Sequence, residues 1–200
     1  RPDLARAASL GSHASEVIGS GLSIDTVRFK AELGGHYRVD PRNVHAHVLG
    51  EHGDSEGPAW SAARLAGVSL TEFCGLTNTS CTRRDMDAMA LHVRDAAYEI
   101  IRRKGATHFG VAAALARIIQ AILRDEGAVL TVSTLVTGTY GIDDVRLSLP
   151  VIIDASGARQ TLPVPLDDGE LERLRRCAEV LKASWASIGA ATSIRDAAPG

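Results

Sequence analysis

His52 lies between glycines and carboxylates in the run Gly50-Glu51-His52-Gly53-Asp54-Ser55-Glu56, directly after a strand-like segment at 44–49. Glycine on both sides of a histidine lets the backbone turn sharply and approach a ligand closely. An imidazole at such a place can exchange a proton near neutral pH. The run therefore predicts a site that moves protons.

Asp25 and Arg28 form a second pair of residues that could do chemistry. They are three apart in a segment predicted to be helical, so they lie on neighbouring parts of one face. Alone, the pair indicates only a surface ion pair, which contributes ~0.3–0.5 kcal/mol. With His52 it indicates more, because a carboxylate held against an imidazole stabilises its charged form and a guanidinium offers a planar fork for a carboxylate. The three residues predict a site for a small acid whose neighbouring oxygen gains or loses a proton.

Composition and charge exclude several kinds of partner. The 200 residues are 45% hydrophobic and 23% charged, which is ordinary for a globular chain, and the net charge of -2 gives no electrostatic reason to expect a nucleic acid or a membrane as partner. No apolar run reaches the ~18 residues of a membrane span. The three cysteines suit neither a disulfide framework nor a metal site, and they indicate a reducing, cytoplasmic setting.

Hydrophobic periodicity predicts the elements that must position these residues. In the first part of the chain we expect a helix at 22–33 stopped by Gly34-Gly35, a strand at 44–49, an extended stretch at 59–70 and a polar loop at 74–84. In the rest we expect helices from 86 to 104 and from 108 to 125, the second largely buried, then strands at 129–136 and 145–153, an extended piece at 160–164, and a last helix opening at Asp167-Asp168. This order predicts an α+β fold in which antiparallel strands pack with long helices.

Five segments of this sequence resemble the C-terminal half of the lactate/malate dehydrogenase family, in the family's order and at compatible spacing: 17–21, 24–29, 43–56, 95–110 and 132–150. Residues 1–16 are weakly patterned and rich in Ala and Ser, so we expect a weakly ordered arm there. The resemblance implies the family's C-terminal substrate and catalytic domain at 17–200. The family's dinucleotide-binding Rossmann domain is expected to be absent. Gly19-Ser20-Gly21 has no third glycine at position 24 and begins no βαβ unit. We therefore expect a C-terminal piece of a longer enzyme, or a truncated or rearranged gene.

The resemblance also implies what each candidate residue does with NAD as cofactor and a small 2-hydroxy or 2-oxo acid as substrate. His52 matches the proton donor and acceptor, and Asp25 matches its carboxylate partner. Arg28 and Thr107 match the substrate-binding residues, while Ser20 and Val111 match positions that touch the nicotinamide. Lactate is preferred over malate because Glu51 and Thr107 resemble the lactate-converting branch of the family.

Assembly and regulation are further implications of the resemblance. Full-length members are homo-oligomers, and a tetramer is expected. Lys30 and His45 fall where many bacterial members bind fructose 1,6-bisphosphate across a subunit interface. His45 agrees with that pattern, whereas Lys30 replaces the usual arginine; a surface lysine beside a half-exposed histidine fits equally well. Three functions stay open: an L-lactate dehydrogenase half that is inactive alone, an enzyme for malate or another 2-hydroxyacid, or a non-catalytic oligomerisation domain.

Overall fold

The computed structural model describes the backbone of residues 17–196 and the side chains of residues 17–187. The predicted arm at 1–16 lies outside the described residues, so its boundary at residue 17 stays a prediction. Helices in the described part are α1 (Ser23–Tyr37), α2 (Leu70–Thr77), α3 (Arg83–Lys104), α4 (His108–Leu123) and α5 (Asp168–Asp196). Strands are β1 (Val44–His45), β2 (Val48–Leu49), β3 (Gly57–Pro58), β4 (Arg64–Leu65), β5 (Val68–Ser69), β6 (Ala128–Thr137), β7 (Asp143–Asp154) and β8 (Gly157–Thr161).

The main sheet is antiparallel, with the order β6-β7-β8. The β-branched residues that fill β6 suit a pleated, half-buried surface. Ser133 of β6 lies opposite Ser148 of β7, and this register matters for the site below. The shorter strands also pair antiparallel, as β1-β4-β5 and β2-β3. The predicted α+β fold with antiparallel pairing is therefore confirmed.

Helix α1 packs against the short strands, α3 and the main sheet, and it carries two of the candidate residues. Phe29 and Leu33 of α1 are fully buried against β1, β2 and α3, and the Phe29 ring meets Trp60 edge to face at 4.8 Å. The main sheet packs on α5 through Leu147 and Leu149 of β7 and Leu174 of α5. Because α1 is anchored on its apolar side, the position of Asp25 on its first turn is well defined.

The predicted end of α1 at Gly34-Gly35 is wrong, because the helix continues to Tyr37. A side chain at position 34 would stand 2.7 Å from the backbone oxygen of Val39, so this glycine serves close packing. The helix ends instead where Arg38 takes the left-handed conformation, with φ 54°. Glycine is preferred at such an end but other residues can adopt it.

The predicted polar loop at 74–84 is wrong at both ends, since residues up to Thr77 belong to α2 and α3 begins at Arg83. A capping box starts this helix: the Ser69 hydroxyl accepts from the Glu72 N–H, and the Glu72 carboxylate accepts from the Ser69 N–H over 2.9 Å. The pattern Ser-x-x-Glu is visible in the sequence and predicts a helix start. The predicted stretch at 59–70 is likewise only the hairpin β4-β5 and its approaches.

Helix α4 is less buried than its composition predicts. Ala114, Ile118 and Ala121 face the core, whereas Leu115, Ile119 and Leu123 are exposed. An apolar stripe of this kind is typical of a surface that another domain or subunit covers. The last helix begins at Asp168 as predicted, and Ile188 of its predicted apolar stripe lies outside the described side chains. Among the described helices, none combines the length and the apolar character that crossing a membrane requires.

Candidate functional site

The candidate site is assembled on one row of backbone pairing across β6 and β7. Ser133 pairs outward with Gly19, and Ser148, its partner in the sheet, pairs outward with Gly50. Gly50 and Ser148 exchange hydrogen bonds of 3.1 and 2.9 Å. The segment before α1 and the loop that holds His52 are therefore anchored to neighbouring strands at the same level.

The residues at the start of α1 form hydrogen bonds with β6 and β7 close to this row of paired residues. The Leu22 N–H donates to the Ser148 hydroxyl over 3.2 Å, and the Ser23 hydroxyl donates to the Thr131 carbonyl over 2.7 Å. Gly21 has a φ of +47°, and a Cβ there would stand 2.3 Å from the Ser148 Oγ. These contacts explain the local sequence Gly-Leu-Ser and bring the first turn of α1 over the sheet.

Gly50 starts the loop that carries His52, and it too requires glycine. Its φ is +115°, and a Cβ would stand 2.7 Å from the Sγ of Cys177 on α5. The Cys177 thiol donates to the Ser55 carbonyl over 3.1 Å and accepts from the Ser55 hydroxyl over 3.2 Å. The fully buried Cys177 thus holds Ser55 near the end of the loop and leaves no room for a side chain at Gly50, its start.

Asp25, Arg28 and His52 converge. The Arg28 guanidinium donates from Nη1 to Asp25 Oδ1 over 2.7 Å, and His52 Nδ1 lies 3.6 Å from Asp25 Oδ2. The Asp25 side chain is only 3% exposed, while that of His52 is 61% exposed. Oδ2 is buried and has no hydrogen-bond partner among the described residues. This carboxylate oxygen is therefore free to hold the imidazole, which itself reaches the surface.

Glu56 is the residue of the site that the sequence reasoning missed. Its Oε2 lies 3.6 Å from the same His52 Nδ1, and its side chain is 6% exposed. Glu56 raises the pKa of His52, burial opposes it, and Asp25 adds to the rise. Burial raises the pKa of Glu56 itself. The one available signal was its place four residues after His52, which alone does not say where a side chain points.

A divalent cation is the alternative that this cluster invites. Ligand atoms of Asp25, His52 and Glu56 lie within 4.8 Å of one another. Asp25 already has a cation, the Arg28 guanidinium at 2.7 Å, which would repel a metal ion held by the same carboxylate. The expectation of no metal stays a prediction.

Thr107 and Val111 lie at the start of α4, beside α1. The half-buried Thr107 accepts from the Val111 N–H over 3.3 Å through its carbonyl, and Val111 is exposed. Gly110 faces the Ile24 side chain, next to Asp25 in sequence, with 3.4 Å between the position of a Cβ and Ile24 Cδ1. Within residues 17–187, no hydrogen bond or ion pair joins Thr107 or Val111 to the cluster of Asp25, Arg28 and His52. Their predicted roles stay predictions.

Ser20 and the surrounding glycines do not form a phosphate-binding turn. Ser20 is half-buried, and its carbonyl accepts from the Ser23 N–H over 3.1 Å. Gly19 pairs with Ser133, and Gly21 makes room for Ser148, so both glycines serve packing within this domain. In the part of the chain that the structure describes, Ser20 and Val111 are the positions predicted to touch the nicotinamide, and that role stays a prediction.

Lys30 and His45 are brought to a common neighbour, His47. Burial lowers the pKa of Lys30. The pKa of His47 falls to about 4, first through burial and then through the positive charges of Lys30 and His45. Lys30 and His47 line a cleft of about 290 Å³ between α1, α4 and β6, and the exposed His45 lies on β1. Both predicted allosteric residues thus lie near His47, and their role stays a prediction.

Comparison with known proteins decides the family. A sequence profile described as lactate/malate dehydrogenase, alpha/beta C-terminal domain, matches residues 23–191. The chain belongs to this family. The resemblance and the fold predicted from it are therefore confirmed, and the described part of the chain contains no Rossmann domain.

Curated relatives carry the name L-lactate dehydrogenase. One from Clostridium perfringens is 50% identical over 166 residues, which are 83% of this chain and 52% of the relative. Another, from Acetivibrio thermocellus, is 45% identical over 168 residues, which are 84% and 53% of the two chains. The chain thus spans about half the length of the curated relatives it matches.

Solved structures of lactate dehydrogenases share the fold. The minor L-lactate dehydrogenase of Enterococcus mundtii, in its ligands-bound form, superimposes with a TM-score of 0.86 at 37% identity, covering 91% of this chain and 58% of the other. The L-lactate dehydrogenase of Clostridium thermocellum gives a TM-score of 0.78 at 36% identity, with coverages of 88% and 57%. These matches, like those in sequence, concern a little over half of each relative.

Proposed function

We propose that this chain is the catalytic half of an NAD-dependent L-lactate dehydrogenase, which interconverts lactate and pyruvate in the cytoplasm as a homo-oligomer. The observation that carries the proposal is the convergence of Arg28 and His52 on the two oxygens of the buried Asp25. A small oxoacid needs a cation for its carboxylate and a proton donor for its carbonyl, and these side chains supply both. The names of the relatives favour lactate over malate.

His52 is proposed to give its proton to the carbonyl oxygen of the oxoacid. Its Nδ1 faces the carboxylates of Asp25 and Glu56, which leaves Nε2 for the substrate. Asp25 stabilises the charged imidazole before the transfer, and afterwards its Oδ2 faces the N–H that remains at Nδ1, so the ring keeps one tautomer. In lactate oxidation the same Nε2 accepts the hydroxyl proton.

Arg28 is proposed to orient the substrate. Asp25 holds its Nη1, so the rest of the guanidinium can donate to the carboxylate of a 2-oxo acid. Holding the acid at this end places its carbonyl near the imidazole, which is the proximity contribution to catalysis. NAD, when bound, supplies or accepts the hydride. Ser20 and Val111 are the positions of this chain proposed to contact the nicotinamide, and Thr107 is proposed to line the substrate pocket.

A chimera tests this proposal. The N-terminal half of the Clostridium perfringens relative is joined to this chain at residue 17, and pyruvate-dependent NADH oxidation is measured beside the 200-residue chain alone. We expect turnover by the chimera and none by the chain alone, because Gly19 and Gly21 serve packing and do not form a phosphate-binding turn. Oxaloacetate in place of pyruvate tests the malate alternative. A folded, assembled chimera without activity on either substrate would favour the non-catalytic oligomerisation domain.

Fructose 1,6-bisphosphate is proposed as an activator at Lys30 and His45. The observation that favours it is their placement: Lys30 and His47 line the cleft between α1, α4 and β6, and the exposed His45 lies two residues before His47. In the chimera, the sugar bisphosphate should lower the KM for pyruvate, and Lys30→Ala should abolish that effect. An identical response of the Lys30 variant would refute the assignment.

A further inference from the structure

We propose that Glu56 is a positioning residue that raises the proton affinity of His52 and fixes its Nδ1 side, so that Nε2 is presented charged to the substrate. The meaning of this for catalysis rests on the proposed function. The effect on the imidazole itself does not, because it depends only on groups present in this chain.

Two carboxylates compete for one ring nitrogen. Asp25 Oδ2 and Glu56 Oε2 lie at the same distance, 3.6 Å, from His52 Nδ1. Asp25 shares its other oxygen with Arg28, whereas no hydrogen bond occupies the Glu56 carboxylate within the described part of the chain. Glu56 is therefore the acid whose charge is least compensated.

The charges facing His52 explain why the imidazole should hold a proton. Asp25 and Arg28 face it from α1, and Glu56 faces it from its own loop. Arg28 balances one of the two carboxylates over 2.7 Å. The second negative charge is balanced either by the imidazolium or by a proton on Glu56 itself. The negative charge of Glu56 therefore favours the protonated form of His52, and removing that charge should weaken it.

The loop geometry keeps Glu56 in place. Glu56 directly precedes β3, which pairs with β2 through Leu49 and Gly57. Ser55, the preceding residue, is held at both its hydroxyl and its carbonyl by Cys177. Because the residues on both sides of Glu56 are held, only its side chain must be ordered when the carboxylate meets the ring.

Nuclear magnetic resonance of the histidine rings tests the proposal in the 200-residue chain, without cofactor or substrate. Glu56→Gln keeps the shape and removes the charge, and we expect the proton affinity of His52 to fall roughly three- to tenfold. The fall is limited because the ring is 61% exposed. Asp54→Asn is the matched control: it removes a carboxylate of the same loop that accepts from the Tyr98 hydroxyl over 3.1 Å and does not face His52. His52→Gln assigns the resonance.

An unchanged His52 titration in Glu56→Gln would overturn the proposal, and so would an equal displacement in Asp54→Asn. If Glu56→Gln does not fold, the wild-type chain still decides: the chemical shift of the Glu56 side-chain carboxyl carbon must change as His52 loses its proton, and a chemical shift that stays constant through the His52 titration would refute the proposal.

A kinetic measurement on the active chimera separates this proposal from the proposed function. Pyruvate reduction requires protonated His52, so Glu56→Gln should move the alkaline fall of kcat/KM to lower pH. A chimera without activity, combined with the expected resonance shift, would refute the dehydrogenase and leave the role of Glu56 intact. An active chimera whose pH profile is unchanged by Glu56→Gln would support the dehydrogenase and refute the role of Glu56.

Discussion

The Ser148 hydroxyl accepts a hydrogen bond from the Leu22 N–H over 3.2 Å, three residues before Asp25. The backbone of Ser148 also pairs with Gly50, two residues before His52. One residue of β7 therefore contacts both the helix that carries the acid and the loop that carries the imidazole. A hydrogen bond from the Val48 N–H to the Thr26 hydroxyl, over 3.1 Å, also ties this helix to β2.

Ser148→Ala should destabilise the chain by about 1–3 kcal/mol, because it leaves the buried Leu22 N–H without an acceptor. Ser133→Ala is the matched control. Ser133 lies opposite Ser148 in the sheet and pairs with Gly19 through its backbone, which the substitution retains. Urea denaturation compares the two variants. Equal losses would show that the hydroxyl at position 148 has no special role.

Gly50→Ala should be more destabilising than a glycine substitution in an open turn. At both Gly50 and Gly67 the φ is positive, +115° and +88°, but only at Gly50 does the added methyl group meet an atom, the Cys177 Sγ at 2.7 Å. Gly67→Ala measures backbone strain alone, about 1–2 kcal/mol. We expect Gly50→Ala to cost about 2 kcal/mol more, by overpacking. Thermal denaturation gives both values.

Cys177→Ala separates the clash from other effects of a side chain at position 50. Combined with Gly50→Ala, it removes the Sγ atom and should recover part of the loss. A double variant that shows only the sum of the two single losses would mean that Cys177 does not cause the penalty.

Much of the site was predictable because it depends on residue types that few other chemistries need. The residue types of Asp25, Arg28 and His52 suggested a site, the resemblance to the family implied their roles, and the structure brings the three together. Glu56 was not predicted, because its contact with His52 depends on how the loop turns between β2 and β3. No periodic pattern reports the direction of a side chain in such a loop.

The fold shows the same division between local pattern and tertiary context. The long strands β6 and β7 follow from runs of β-branched residues, and the start of α5 follows from its acidic opening. The length of α1 does not follow from its sequence pattern, because Gly34 packs against Val39 and Pro41, which lie outside the helix. The exposure of α4 could not be predicted from its apolar composition, since that composition is equally suited to a core and to an interface.

His47 should make the chain less stable in acid. Its pKa in the folded state, about 4, lies below the ordinary value of 6.5. Its contribution to the free energy of unfolding is therefore present above pH 6.5 and is lost as the pH falls toward 4. From about pH 7.5 to about pH 5 the loss is about 2 kcal/mol. The raised pKa values of His52 and Glu56 act in the opposite sense, because their contributions are lost as the pH rises.

The comparison with His47→Gln isolates this effect. The variant lacks the titrating ring, so the difference in unfolding free energy between it and the wild type should change with pH by the same ~2 kcal/mol. Urea titrations at the two pH values measure that difference. A constant difference would mean that His47 is not held neutral in the folded chain.

Substitutions of His52 and Arg28 in the active chimera should affect different kinetic constants. His52→Ala removes the proposed proton donor and should lower kcat for pyruvate reduction roughly 10²- to 10⁴-fold. Arg28→Lys keeps the positive charge but loses the planar fork, so it should raise the KM for pyruvate roughly 10- to 100-fold. Lysine is preferred to alanine here because Arg28→Ala would also leave the buried Asp25 carboxylate without its partner at 2.7 Å. Steady-state kinetics over a range of pyruvate concentrations separate the two constants.

Val27→Ala, which trims an exposed side chain of the same helix, is the control and should leave both kinetic constants nearly unchanged. Normal turnover by His52→Ala, or an unaltered KM in Arg28→Lys, would show that the residue in question has been wrongly assigned.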